Sequence, residues 1–165
     1  MLCAIHVARA APSALAADVY FTRVPLDQVG DFAAYEYWIG GGHYDFDPDL
    51  AAPLLEGGVA PSVAYDSRLD RWLMAHSAPL SQAITLRSGL GVAGPWSAPL
   101  VIAEGDLPAI DPQSFVGDVT LLPELFAGDE IVLAQTVSSF ERPPTATAQD
   151  FWTRLLRVPR PEALP

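Results

Sequence analysis

Residues 61–103 read PSVAYDSRLDRWLMAHSAPLSQAITLRSGLGVAGPWSAPLVIA, and this stretch decides the fold class. It contains four short runs that are apolar or alternate between apolar and polar residues, which is typical of β-strands. These runs lie at 61–65, 71–76, 82–87 and 96–103. The connections at 66–70 and 89–94 are short and carry Asp, Ser and Gly, the residues that favour turns. Four short strands with short connections predict an antiparallel meander, the repeating unit of a propeller blade.

Further strand candidates flank this meander on both sides. They lie at 2–10, 18–24 and 35–39 before it, and at 115–121, 130–140 and 151–158 after it. Residues 151–158 also fit helical spacing, but their alternation favours a strand. The sequence therefore predicts an all-β fold, a partial β-propeller of about two and a half to three antiparallel four-stranded blades. We expect one domain over 1–158, followed by a mobile tail at 159–165.

The composition limits the function classes. Half of the 165 residues are hydrophobic and 18% are charged, which argues against a disordered chain. The formal net charge of −11 disfavours nucleic acid and membrane surfaces as partners, because both are anionic. Residues 14–16 resemble a signal-peptidase site, but His6 and Arg9 interrupt the preceding apolar stretch, so we interpret 2–10 as a strand. The compartment stays open, with a secreted or cell-surface location as one alternative.

Several motifs occur in an order that points to one family. Residues 19–25 (VYFTRVP) precede 34–38 (AYEYW), and 61–66 (PSVAYD) lead into 69–74 (LDRWLM). GPWSAP and PEL follow, at 94–99 and 123–125. In this order the motifs resemble the bacterial domain-of-unknown-function family 4185 over roughly residues 2–158. That family is similar to the five-bladed propellers of glycoside hydrolases such as arabinanases.

Two departures from the family pattern bear on function. The resemblance implies a longer chain for a full ring, and we therefore expect this sequence to correspond to the C-terminal blades only. Open blade faces would expose apolar surface, and we therefore expect self-association or a requirement for the missing N-terminal blades. Leu122 also stands where the resemblance implies His, just before Pro123. This replacement weakens the transfer of an active-site role to that strand end.

Glycoside hydrolysis needs two positioned carboxylates, one acting as acid and the other as base or nucleophile. The resemblance implies that these groups lie on the innermost strands of a propeller. Asp118 and Glu124 are the best-placed carboxylates on this reading. The alternative is that each is an ordinary loop acid, or a Glu that accepts hydrogen bonds from backbone amides.

Trp38, Tyr44 and Ser62 are the candidates for substrate binding. Trp38 precedes three glycines and an aromatic loop, and the face of a Trp ring can stack on a sugar. Packing within the core is the alternative for Trp38. The acidic loop at 43–49 lacks the glycine and downstream Glu of a calcium-binding loop, and the three histidines lack zinc-ligand spacing. The sequence predicts no metal and no cofactor.

Two classes of function remain open. The first is a segment of a carbohydrate-active propeller that acts on or binds a polysaccharide or cell-surface glycan; whether it is an enzyme is left open, and the enzyme would be a glycoside hydrolase. The second is a non-catalytic carbohydrate-binding or protein-interaction module, or a truncated remnant without activity. The expected partner is a carbohydrate, whose sugar and linkage the sequence does not identify.

Overall fold

The computed structural model describes residues 2–7, 17–77, 82–104, 114–139 and 153–161. The chain divides into two compact units, Met1–Gly58 and Val59–Pro165. The described residues form eleven β-strands and four single-turn 3₁₀ helices, at Leu26–Gln28, Phe32–Ala34, Pro48–Leu50 and Pro123–Leu125. None of the described helices is long and apolar enough to cross a membrane.

The first unit is an antiparallel sheet built around its second strand. Its strands are β1 (Leu2–Val7), β2 (Ala17–Val24), β3 (Glu36–Gly40), β4 (His43–Asp45) and the first part of β5 (Pro53–Asp66). β2 pairs with β1, with β3 and, near its start, with the first part of β5. Val19, Phe21 and Val24 of β2 are buried. The tight turn between β3 and β4 requires glycine, because Gly40, Gly41 and Gly42 all have positive φ.

The second unit begins with a four-stranded antiparallel meander. It contains the rest of β5, from Val59, and then β6 (Arg71–Ser77), β7 (Ala83–Gly89) and β8 (Leu100–Glu104). Asp66 closes the β5–β6 turn, since its Oδ1 accepts hydrogen bonds from the backbone amides of Arg68 and Leu69. The meander predicted within residues 61–103 is therefore present.

The fourth strand of the meander is shorter than predicted. The sequence predicts a strand from residue 96, whereas β8 begins at Leu100 and Trp96 forms only an isolated bridge with Gly89. Pro99 lies between them and has no amide hydrogen to donate to a ladder. Residues 96–98 therefore belong to the connection.

A three-stranded antiparallel sheet completes the second unit. It consists of β9 (Ser114–Leu121), β10 (Glu130–Ser139) and β11 (Thr153–Pro159), with β10 in the centre. The strand interpretation of 151–158 is confirmed over its described part. Phe140 and residues 151–152, which the predicted strands included, lie outside the described residues.

The two sheets of the second unit share one apolar core. It joins buried side chains of the meander with those of the three-stranded sheet, namely Ala64, Leu73, Ala75, Ile84, Leu86, Val116, Val119, Leu121, Ile131, Leu133 and Val158. Two hydrogen bonds also connect the sheets: the Ser77 hydroxyl donates to the Gly117 carbonyl at 2.9 Å, and the Leu121 amide donates to Ser62 Oγ at 3.0 Å. The fold class is thus confirmed as all-β, with antiparallel four-stranded sheets consistent with partial propeller-like blades.

The β5–β6 ladder places Trp72 and Leu73 on opposite faces of the meander. Tyr65 pairs with Trp72 across the β5–β6 ladder, while Ala64 pairs with Leu73. Successive residues of a strand point to opposite faces, so Leu73 enters the core and Trp72 lies on the other side, half-buried against the exposed Tyr65 ring. Asp70, in the β5–β6 turn, is exposed.

Three residues of the predicted tail are described, at 159–161. The guanidinium Nε of Arg160 donates to Asp66 Oδ2 at 2.8 Å, and the two side chains are only 7% and 2% exposed. This buried ion pair joins the end of β11 to the β5–β6 turn.

Gln135 is fully buried on β10, and neither its amide nitrogen nor its amide oxygen has a hydrogen-bond partner in the described part of the protein. A buried polar group without a partner costs about 1–3 kcal/mol. Gln135→Leu is similar in volume and removes both polar atoms, so we expect the free energy of unfolding to rise by about 1 kcal/mol. Urea unfolding measures this, with Gln135→Glu as the destabilised comparison. A free energy of unfolding for Gln135→Leu at or below that of the wild type would contradict the prediction.

Candidate functional site

Two of the predicted substrate-binding residues are neighbours across the β3–β4 hairpin. Trp38 on β3 lies directly opposite Tyr44 on β4. Residues directly opposite each other in an antiparallel pair project from the same face. Trp38 and Tyr44 are both partly exposed, so this face presents two aromatic side chains.

Arg23 and Glu36 extend this face toward β2. They are cross-strand partners, and Arg23 Nε donates to Glu36 Oε2 at 2.6 Å. The guanidinium carbon of Arg23 also lies 3.6 Å from the centre of the Tyr44 ring, a cation–π contact. Phe21 supports the same ring from within the unit, with 6.1 Å between the ring centres. Arg23 therefore fixes both the Tyr44 ring and the Glu36 carboxylate.

We call Arg23, Glu36, Trp38 and Tyr44 the aromatic face. The side chains of Arg23 and Glu36 are 29% and 30% exposed, so solvent and ligands reach their polar edges. Aromatic rings pack against the C–H faces of a sugar, while carboxylate and guanidinium groups hydrogen-bond to its hydroxyls. The aromatic face can therefore bind a polyhydroxylated ligand. Its single carboxylate cannot act as an acid–base pair.

The acidic loop beside the aromatic face organises its own backbone. Asp45 Oδ1 accepts from the amide of Asp47, and Asp47 Oδ1 accepts from the amide of Asp49, both at 2.9 Å. These bonds shape the entry to the 3₁₀ helix Pro48–Leu50. Among the described residues no group of His, Cys, Asp or Glu side chains is arranged to hold a metal ion.

The other predicted site residues lie in the second unit. Ser62 Oγ accepts the Leu121 amide hydrogen between the two sheets, which gives this hydroxyl a structural contact. Asp118 lies on β9 with its side chain exposed, and Glu124 is exposed in the 3₁₀ helix Pro123–Leu125. In the described residues no hydrogen bond or ion pair joins Asp118 to Glu124. Leu122, where the family pattern implies His, is the residue before that helix.

His76 lies in a polar cluster of the second unit. His76 is buried, its Nδ1 faces the Ser77 carbonyl at 3.3 Å, and its Nε2 faces Thr85 Oγ1 at 3.1 Å. Arg87 Nε also approaches Nε2, at 3.5 Å. Burial lowers the pKa of His76. The Ser77 carbonyl opposes this in part, and the nearby Arg87 charge adds a smaller lowering effect. His76 is therefore a neutral structural residue that connects β6 and β7.

This lowered pKa predicts a pH dependence of stability. The unfolded chain binds a proton at His76 near the ordinary pKa of about 6.5, whereas the folded chain resists it. The free energy of unfolding should therefore fall as the pH drops below about 6.5, and level off below the folded pKa of His76. Denaturant unfolding from pH 8 to pH 5 measures this slope. His76→Gln should reduce it, and an unchanged slope in His76→Gln would contradict the assignment.

The fold defines an all-β protein with blade-like antiparallel sheets and a partly exposed aromatic face. Residues 8–131 match the family model described as "Domain of unknown function (DUF4185)", so the chain belongs to the DUF4185 family. A search of the curated proteins finds no match.

Solved structures that share the fold include the crystal structure, at 2.80 Å resolution, of a "putative hydrolase" from Bacteroides ovatus ATCC 8483. The TM-score is 0.57 at 18% sequence identity, and the match covers 86% of this chain. It covers 39% of that protein, so this chain spans well under half the length of its structural neighbour.

Proposed function

We propose that this chain forms blades of a carbohydrate-active propeller and that the aromatic face binds a polysaccharide or cell-surface glycan. The observation that carries the proposal is the placement of Trp38 opposite Tyr44, with the Arg23–Glu36 ion pair on the same face. This arrangement combines ring faces for stacking with charged edges for hydroxyl groups.

The likeness to a hydrolase supports the same class of function. A glycoside hydrolase would need a carboxylate pair, and Asp118 and Glu124 remain our candidates for it. In a longer ring each could meet a partner carboxylate from another blade. We therefore propose that this chain binds the glycan. Hydrolysis would require a second carboxylate from additional blades.

A non-catalytic carbohydrate-binding module is the second candidate. It is favoured by the exposed positions of Asp118 and Glu124, which share no contact among the described residues. Incubation with arabinans, galactans and aryl glycosides distinguishes the hydrolase from the binding module. Turnover that Glu124→Gln or Asp118→Asn abolishes would support the hydrolase, whereas binding without turnover would support the module.

The binding role of Trp38 is testable by substitution. We expect Trp38→Ala to weaken binding of the best glycan in this panel by about tenfold, since it removes the larger ring of the aromatic face. The matched control is Tyr37→Ala, because Tyr37 lies on the opposite face of the same strand. Equal affinity of Trp38→Ala and wild type, measured by calorimetry, would refute the role of the aromatic face.

A further inference from the structure

A polar cleft lies within the second unit, between the β5–β6 turn and the connection from β9 to β10. Its volume is about 190 Å³, comparable to a small organic molecule. Tyr65, Pro123 and Phe126 form apolar walls, and Ser67, Arg68 and Arg160 contribute polar groups. Neither the predicted site residues nor the aromatic face contributes to this cleft.

Asp66 is the one carboxylate among the residues that line the cleft, and it already accepts hydrogen bonds from other groups of the protein. Asp66 Oδ1 accepts two backbone amides of its turn, and its Oδ2 accepts Arg160 Nε. With both oxygens engaged, Asp66 holds Arg160 in place and offers little to a ligand.

The remaining polar groups of the cleft are mainly hydrogen-bond donors. Arg68 Nη1 and Arg160 Nη1 both donate to the carbonyl of Gly128. Within the described part of the chain, Arg160 Nη2 and the Ser67 hydroxyl have no hydrogen-bond partner. A cleft whose spare groups are donors fits a ligand that accepts hydrogen bonds.

Asp129, an exposed residue beside the cleft, already pairs with one of these donors, Arg68. A ligand that binds Arg68 would have to compete with Asp129. Its Oδ1 lies 2.8 Å from Arg68 Nη2, and the two side chains are 87% and 55% exposed. Exposed ion pairs of this kind contribute little to stability, so an incoming carboxylate can exchange with Asp129 at small cost. After the exchange, two guanidinium groups face the carboxylate of Asp66 and that of the ligand, and the charges balance.

We propose that this cleft binds the carboxylate group of a small molecule, with Arg68 and Arg160 as donors and Asp129 as the internal competitor. Guanidinium groups pair with carboxylates through two parallel hydrogen bonds. The walls of Tyr65, Pro123 and Phe126 accommodate the carbon skeleton that carries the group. Both a sugar acid and a simple organic acid provide this chemistry.

The test is titration of the full chain with D-glucuronate, acetate and neutral D-glucose at pH 7 and low salt, followed by calorimetry. We expect glucuronate to bind and glucose not to bind. Arg68→Gln should weaken glucuronate binding by about tenfold, and Asp129→Asn should strengthen it because it removes the competitor. Arg157→Gln and Glu130→Gln are the matched controls, since this exposed pair lies outside the cleft lining, and they should change the affinity little.

Each outcome bears on the cleft. Binding of glucuronate and acetate alike supports recognition of the carboxylate alone, and binding of glucuronate only supports a sugar acid. No binding of either acid, an unchanged affinity in Arg68→Gln, or an unchanged affinity in Asp129→Asn would overturn the proposal. Trp38→Ala should leave carboxylate binding intact, so that a failure of the aromatic face and a failure of the cleft are distinguishable.

Discussion

Asp66→Ala should be among the most destabilising single substitutions in the second unit. It leaves the 7%-exposed Arg160 without its carboxylate and removes the acceptor of two turn amides. Breaking a buried ion pair by removing one partner typically costs 3–5 kcal/mol, and we expect a loss of about that size in the free energy of unfolding. Urea unfolding followed by tryptophan fluorescence measures it.

The matched control for Asp66 is Asp129→Ala. Asp129 also pairs with an arginine at 2.8 Å, but it is 87% exposed, and surface ion pairs contribute about 0–1 kcal/mol. We therefore expect the two aspartate substitutions to differ by several-fold in their cost. Equal costs would mean that the Asp66–Arg160 pair does not hold β11 against the β5–β6 turn.

Leu133→Ala should produce an effect of similar size through packing. Leu133 is fully buried on the central strand β10, between Leu121 of β9 and Leu156 of β11. Truncation of a buried leucine costs about 2–5 kcal/mol, depending on how far the cavity collapses. The free energy of unfolding is again the measurement.

Leu155→Ala provides the comparison for this core substitution. Leu155 occupies the neighbouring position of β11, but it is 63% exposed. Its truncation should change the free energy of unfolding by less than about 0.5 kcal/mol. If Leu133→Ala lowered the free energy of unfolding as little as Leu155→Ala, the assignment of Leu133 to the core shared by the two sheets would be wrong.

Local patterns in the sequence predict much of this fold. The meander follows from alternation within 61–103 and from the turn chemistry of Asp66, both of which act over a few residues. The start of the fourth strand was wrong because Pro99 interrupts a run that otherwise resembles a strand. The sequence did not predict which face of β6 meets the core, because composition alone does not fix which side of a sheet is buried.

Less of the candidate site than of the fold could be predicted from the sequence. Trp38 and Tyr44 were each identified as candidates, but their pairing depends on the register that the three glycines set. Arg23 was missed because its contacts with Glu36 and Tyr44 form only across strands. Alternation within 34–38 places Glu36 on the same side as Trp38, and this signal could have identified the carboxylate. Arg160 is 94 residues from Asp66, and no local pattern reports such a contact.

The proposed binding of glycans by the aromatic face has one most direct test. Indole N–H resonances can be followed by NMR while arabinan or galactan oligosaccharides are added, with the Trp38 signal assigned from Trp38→Phe. We predict that the Trp38 resonance shifts saturably, and that the resonance of Trp72, in the second unit, stays in place. Saturable binding that leaves the Trp38 resonance unmoved would contradict the account.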